Sequence, residues 1–172
     1  SLTYTTNYGG NSTPTTVFGI TTSTYTFSVS PSTNTTYSLT ALADNNSCNA
    51  QSLEDINSST IVTVNERPTG SLSGTPTTCA GTPTDITVTL TGKSPWTLTY
   101  SGYVGNTLTS VTTTISSTTG STFVAGNPYT TTISVSPSIT SNYTITSLSD
   151  ALCSSDATID LTTTAQVKVN PR

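Results

Sequence analysis

The amino-acid sequence predicts an all-β protein with two tandem β-sandwich domains, the first of which is incomplete at its N-terminus. Three observations support this prediction. Apolar residues alternate with Ser and Thr over short runs, Gly and Pro cluster between those runs, and the second half of the chain repeats motifs of the first. Alternation with a period of two is typical of strands with one buried face. Thr is β-branched and suits the solvent face of such strands.

The repeat is clearest in the stretch SVSPSTNTTY (28–37), which returns as SVSPSITSNY (134–143). The next residues of the two copies, TYSLTALAD and NYTITSLSD, also correspond, as do SLTYTT at the N-terminus and TLTYSG further along. Towards their ends, residues 61–68 are aligned with 165–172. A period of roughly 100 residues is too long for a solenoid, which repeats every 20–50, and fits an array of whole sandwich domains.

The two copies divide the chain into residues 1–66 and 67–172. The second copy begins with a segment, Pro68–Trp96, that has no counterpart before Ser1. We therefore expect the first copy to be the C-terminal part of a domain whose first strands lie upstream, and the second copy to be a complete domain. The junction between them is short and is stiffened by Pro68.

Strands of the second copy follow from its period-two runs. The runs begin near Leu72 and continue at 85–91, 95–101, 107–115, 129–136, 143–149 and 158–169. The alternation of the run 143–149 breaks by Leu148. About seven short strands over a hundred residues are typical of an immunoglobulin-like sandwich. Trp96 is predicted to pack in the core rather than to form a sugar-stacking surface, because its neighbours alternate correctly and large aromatic side chains are usually buried.

Strands of the first copy are predicted at 23–30, 37–43 and 59–65. In the first of these, Tyr25, Phe27 and Val29 fall on one face. The alternation in these three runs is the same as in the second copy, so the same kind of sandwich is expected.

The positions of the three cysteines are consistent with a first copy that lacks its first strands. Cys79 lies in the segment unique to the second copy and Cys153 near the end of that copy, so a Cys79–Cys153 disulfide is predicted, at one end of the sandwich. In the chain-entropy description it would stabilise the domain by roughly 4 kcal/mol, and it would indicate an oxidising compartment. Cys48 corresponds to Cys153. Its partner is expected upstream of Ser1, the alternative being a functional free thiol.

Composition excludes two classes of partner. The formal net charge is -4, and the four basic residues, Arg67, Lys93, Lys168 and Arg172, are scattered. A nucleic-acid surface needs clustered Lys and Arg, so no nucleic-acid partner is expected. No apolar run approaches the roughly 20 residues of a membrane span.

The residues that catalysis needs are scarce, and we expect no enzyme activity, cofactor or metal site. The chain has no His, which removes Ser-His-Asp and Cys-His arrangements and imidazole metal ligands. Glu54 and Asp55 are the only adjacent acidic pair. Asp44 and Asp150 occupy matching places before cysteines; side-chain capping of a turn is the favoured interpretation, and calcium binding is the alternative.

Several motifs together resemble the tandem immunoglobulin-like repeats of giant secreted surface proteins of gliding Bacteroidetes. They are the Cys-Ala-Gly opening at Cys79, the Pro-Trp strand at Trp96, the turn and strand SVSPSITSNY, the late Cys153, and the exit VNP at 169–171. The first copy departs from this pattern by ending VNERP, and the second carries an insert around 110–125. The family has no catalytic residues to transfer.

The resemblance implies export by a type 9 secretion system, display at the cell surface and a role in adhesion or gliding motility. The chain is thus expected to contribute spacer repeats to a long extracellular adhesin, next to further repeats of the same chain. Surface polysaccharide or another surface protein are the candidate ligands. Two alternatives remain: a fibre subunit completed by strand addition, and a carbohydrate-binding module of a secreted enzyme, for which Tyr103 is the candidate contact.

Overall fold

The computed structural model describes residues 1–46, 48–50, 56, 58–117, 128–162 and 164–170. The chain is all-β, as predicted, and divides into two compact units, Ser1–Val64 and Asn65–Arg172. The boundary expected from the repeat, after residue 66, lies two residues further along the chain. Part of the insert around 110–125 lies outside the described residues.

The described strands of the first unit form one antiparallel sheet with the order β2–β1–β3–β4. They are Leu2–Tyr8 (β1), Asn11–Val17 (β2), Thr35–Leu42 (β3) and Ser59–Val62 (β4). Strands β1 and β2 form a hairpin whose two-residue turn is Gly9–Gly10, with φ of 54° and 81°. Positive φ at both central positions is what a tight type I′ hairpin turn requires, and glycine adopts it without steric cost.

The second unit contains two sheets, with the orders β10–β7–β5–β12 and β6–β13–β11–β8–β9. The strands are Gly70–Ser73 (β5), Thr77–Cys79 (β6), Thr84–Leu90 (β7), Trp96–Val104 (β8), Thr107–Ile115 (β9), Tyr129–Val135 (β10), Ser141–Ser149 (β11), Leu161–Thr162 (β12) and Thr164–Asn170 (β13). Two pairings are parallel, β6 with β13 and β5 with β12. The other pairings are antiparallel.

The two sheets of the second unit face each other across one hydrophobic core, so this unit is a β-sandwich. Alternate residues of β7 are fully buried, namely Ile86, Val88 and Leu90. The facing sheet contributes buried side chains from β8 and β11, among them Trp96, Leu98, Tyr143 and Leu148. Each large apolar side chain buried in this way contributes about 1.5–3 kcal/mol.

The sheets approach closely at Gly70. A β-carbon at Gly70 would lie 3.0 Å from Leu148 Cδ2, 3.2 Å from Ile145 Cδ1 and 3.5 Å from Leu90 Cδ2. Ile145 and Leu148 of β11 therefore lie directly against β5, in the same core cluster as the inward residues of β7.

Trp96 lies in this core, which confirms the prediction. Its indole is fully buried, Nε1 donates a hydrogen bond to the carbonyl oxygen of Thr91 at 2.9 Å, and the ring stacks on Tyr129 with centroids 5.2 Å apart. Burial of the whole ring removes it from any role as an exposed sugar-stacking platform.

The sheet of the first unit and the second sheet of the second unit repeat each other in detail. The order β2–β1–β3–β4 corresponds to β9–β8–β11–β13, and each sheet has a bulge at the same place. In the first bulge Thr40 Oγ1 donates to the carbonyl of Thr3 at 3.2 Å, and in the second Thr146 Oγ1 donates to that of Thr99, also at 3.2 Å. The second bulge also explains why the alternation of 143–149 breaks before Leu148.

Side-chain pairs on these sheets repeat as well. The hydroxyls of Thr3 and Thr16 are 2.9 Å apart, and those of Thr99 and Thr112 are 3.0 Å apart. The rings of Tyr4 and Tyr37 lie 6.3 Å apart, and those of Tyr100 and Tyr143 lie 6.4 Å apart.

The register corrects the alignment of the last strands by one residue. Thr35 pairs with Val62, and its counterpart Ser141 pairs with Val167. Val62 therefore corresponds to Val167, whereas the sequence alignment had placed Val62 opposite Gln166.

The strand predicted at 23–30 is wrong. This segment is not a strand in the first unit, although its counterpart β10 pairs with β7 along its whole length, from Tyr129↔Leu90 to Val135↔Thr84. Among the described residues of the first unit no strand takes the place of β7. A strand needs a ladder partner, so alternation alone could not make one here.

Candidate functional site

The predicted Cys79–Cys153 disulfide is absent, since both residues are free thiols, as is Cys48. The prediction is corrected by the strand register. Cys79 ends β6, which runs parallel to β13 and places Cys79 beside Asn170. Gly81, just after it, donates to the carbonyl of Pro137, before the start of β11.

Cys153 lies beyond the other end of β11. Its N–H donates to Asp150 Oδ1 at 2.6 Å, and its Sγ lies 3.9 Å from the carbonyl oxygen of Asn65. The two cysteines are thus separated by the length of β11, about 26 Å at 3.3 Å per residue. A disulfide needs α-carbons within about 7 Å of each other. Without this bridge, Cys79 and Cys153 give no indication of an oxidising compartment.

The matched aspartates cap turns. Asp44 Oδ1 accepts hydrogen bonds from the N–H groups of Asn46 and Cys48, at 2.8 and 2.9 Å. Asp150 Oδ1 accepts from Leu152 and Cys153, and its Oδ2 accepts from Lys93 at 2.7 Å. The favoured interpretation of these residues is therefore confirmed, because their carboxylate oxygens are bonded to backbone donors.

A second polar cluster fixes the start of the second unit. Arg67 Nε lies 3.0 Å from Asp160 Oδ2, and Arg67 also approaches Asp156 at 3.7 Å. Asp156 Oδ1 accepts hydrogen bonds from both the hydroxyl and the N–H of Thr158. These hydrogen bonds, together with the nearby guanidinium, lower the pKa of the Asp156 carboxyl. The cluster holds the entering chain against the loop before β12.

The described residues contain no group of three or more His, Cys, Asp or Glu side chains that could hold a metal ion. Glu54 and Asp55, the adjacent acidic pair of the sequence, lie outside the described part of the chain. Tyr103, the residue chosen for sugar contact, is half-buried, and its carbonyl accepts the hydroxyl of Tyr143. Within the described ranges, no helix is long and apolar enough to cross a membrane.

The first unit carries a candidate site that the sequence had not identified by residue, a groove of about 520 Å³ over its sheet. We call it the open groove. Its apolar wall is formed by Leu2, Leu39 and Leu42 of the sheet together with Ile20 and Tyr25, and its polar rim includes Asp44, Cys48 and Asn49. Phe27 lies beside it and stacks on Tyr4, with ring centroids 4.6 Å apart.

The open groove corresponds to a filled position in the second unit. The counterparts of Leu39 and Leu42 are Ile145 and Leu148, which lie against β5 in the core of the sandwich. As a result Leu42 is 43% exposed, whereas Leu148 is 2% exposed.

In comparisons with known proteins, no protein family model matches the chain, and no curated protein matches it significantly.

Proposed function

We propose that the chain supplies immunoglobulin-like spacer repeats of a large cell-surface adhesin, displayed outside the cell, where it supports adhesion or gliding motility. The observation that carries this proposal is the repeated sheet. The sheet of the first unit and the β9–β8–β11–β13 part of the second unit share their strand order, the position of the bulge and the hydrogen bond within it. Each unit also has a turn capped by an aspartate. An extended stalk is usually built from copies of one domain joined in series. The motifs around Cys79, Trp96 and the SVSPSITSNY turn support the adhesin assignment through their resemblance to such repeats.

The strand arrangement of the second unit supports the immunoglobulin-like assignment. Three antiparallel strands, β10, β7 and β5, face the sheet that contains β13, β11, β8 and β9. The first strand region is shared between the sheets, since β5 pairs in one and β6 pairs with the last strand of the other. Two facing sheets of short antiparallel strands, with a core of alternating inward residues, are the architecture of this class.

The second unit also has the chain path that a spacer needs. Asn65, where the unit begins, contacts Cys153 beyond one end of β11. Asn170, at the end of the last strand, pairs with Cys79 near the other end. A domain that the chain enters at one end and leaves at the other can be joined in series without a long connection.

The proposal is tested on intact cells of the organism that makes the protein. Monovalent Fab fragments raised against the chain are expected to label unpermeabilised cells and to reduce their attachment or gliding speed. Fab fragments against an unrelated surface protein serve as the control. Labelling that appears only after permeabilisation would refute surface display, and surface labelling without any effect on attachment or gliding would refute the adhesive role.

The open groove favours a second candidate, a fibre subunit completed by strand addition. The mass of the native protein separates the two. A mass several times the 17.7 kDa of this chain supports the spacer array, whereas a native mass equal to it supports the subunit.

A further inference from the structure

We propose that the open groove binds an extended polypeptide segment of the β7 type, with large aliphatic side chains at every second position. This inference rests on the strand-addition candidate and names the kind of strand that would be added; it does not depend on the spacer role. The occupant is defined by the second unit, where the equivalent position is filled and its chemistry can be read directly.

In the second unit the strand that pairs with β10, the counterpart of residues 23–29, is β7. Its inward residues Ile86, Val88 and Leu90 are each fully buried, and its outward residues are Thr or Asp. It pairs antiparallel with all seven residues of β10. The affinity of such a strand comes from two sources, the backbone ladder and the pockets for alternate side chains.

The first unit offers both of these features without a described strand to use them. Residues 23–29 correspond to β10 and carry the backbone groups that would pair with a β7-type strand. Beside them, Tyr25 is 43% exposed and Phe27 is 42% exposed, although both project over the sheet. The register of the second unit places the counterparts of Ile86 and Val88 opposite Phe27 and Tyr25, respectively.

The wall of the open groove matches the aliphatic residues of such a strand. Leu39 and Leu42 stand where Ile145 and Leu148 lie against β5 and share one core cluster with the inward residues of β7. The rim is polar, with Asp44 and Asn49, so the ends of the occupant would meet groups that tolerate water. An apolar floor with a polar rim selects a strand that is aliphatic on one face and hydroxylated on the other.

The test uses the full chain and a fluorescent peptide with the sequence of Thr84–Thr91, TDITVTLT, measured by fluorescence anisotropy. The control peptide has Ile86, Val88 and Leu90 replaced by Thr, which keeps the strand propensity and removes the aliphatic face. We expect the control to bind about tenfold more weakly or worse, since it loses three buried aliphatic side chains. Equal binding of the two peptides would overturn the proposal.

Two variants locate the binding. Leu42→Asp places a charge on the wall of the open groove and is expected to reduce peptide affinity about tenfold. Ile61→Asp is the matched control, because Ile61 is 66% exposed and its neighbour Val62 is on the inward face, so Ile61 faces away from the groove. An equal loss of peptide affinity in Leu42→Asp and Ile61→Asp would contradict binding in the open groove.

Two further readouts on the unmutated chain do not depend on a variant that folds. Bound peptide is expected to slow alkylation of Cys48, which lies at the rim of the open groove, while alkylation of Cys79 in the other unit stays unchanged. Hydrogen exchange of the amides at 24–30 is expected to slow on binding. Slower hydrogen exchange only outside residues 24–30 would overturn the proposal. A stable dimer of the chain without peptide would overturn it as well, because the groove would then have a different occupant.

Discussion

The ring of Tyr143 lies against the backbone of Gly102. A β-carbon at Gly102 would overlap Cδ1 and Cε1 of that ring. The phenol hydroxyl donates a hydrogen bond of 2.5 Å to the carbonyl of Tyr103, the next residue along β8. Glycine is therefore required at this position because the aromatic ring occupies the space of its side chain.

Replacing Gly102 by alanine is expected to destabilise the second unit by about 1–3 kcal/mol, the usual cost of overpacking a core. The methyl group would push the ring of Tyr143 out of place and weaken its hydrogen bond. Trp96 is the one tryptophan of the chain and lies in this unit. Urea denaturation followed by its fluorescence therefore measures the change. Ser101→Ala, one residue away, is the control, with an expected change within about 0.5 kcal/mol. Equal stability of Gly102→Ala and the unmutated chain would contradict the packing described.

The second unit is expected to lose stability at alkaline pH through its buried phenols. Burial, and secondly the neighbouring Tyr100, raises the pKa of Tyr143 from 10.0 to about 12. Burial also raises the pKa of Tyr100. Because the folded pKa is above the unfolded one, the contribution of the protonated phenol is complete below pH 10 and is lost as the pH rises from 10 towards 12.

Urea midpoints between pH 8 and pH 11, read from Trp96, test this expectation. Tyr143→Phe should weaken the pH dependence and should also cost about 1 kcal/mol at pH 8, because the carbonyl of Tyr103 loses its donor. Midpoints that stay constant up to pH 11 in the unmutated chain would count against the expected pKa.

Asp150→Ala is expected to destabilise the second unit by about 2 kcal/mol or more. The carboxylate of Asp150 accepts three backbone N–H groups, from Lys93, Leu152 and Cys153, and hydrogen bonds to a charged group are stronger than neutral ones. Asp85→Ala removes an exposed acid near the start of β7 in the same unit and serves as the charge-matched control. A similar shift of the Trp96 transition in both variants would show that net charge, and not the turn, is responsible.

The chain is expected to contain three free thiols after unfolding without reductant. Titration with a thiol reagent in denaturant gives the count directly. Adding a reductant to the native protein should leave its urea midpoint unchanged. A count of one, with a Cys79–Cys153 peptide found by mass spectrometry, would be incompatible with the strand register of the second unit.

The sequence predicts the strands of the second unit well, since burial on one face produces the period-two pattern at Ile86–Leu90 and Trp96–Tyr100. Trp96 is also predicted correctly, because its neighbours define the inward face. The failure at 23–30 has a physical cause: alternation reports which side chains are buried, but not whether a partner strand supplies the ladder.

The cysteine prediction failed for a different reason. Sequence order shows that Cys79 precedes β7 and that Cys153 follows β11, but it does not show which end of the sandwich each residue reaches. The parallel pairing of β6 with β13 decides that, and parallel pairing between distant segments leaves no local signal. The open groove was equally hidden, since it depends on the second layer of the sandwich and not on any motif.

The parallel alignment of β6 and β13 also determines how the second unit would respond to tension. Lys168, Val169 and Asn170 pair with Thr77, Thr78 and Cys79, and the chain enters and leaves at opposite ends of the sandwich. Pulling those ends apart slides the two strands past each other lengthwise. Their hydrogen bonds then resist together in shear, whereas in a hairpin pulled from its open end they would break one after another.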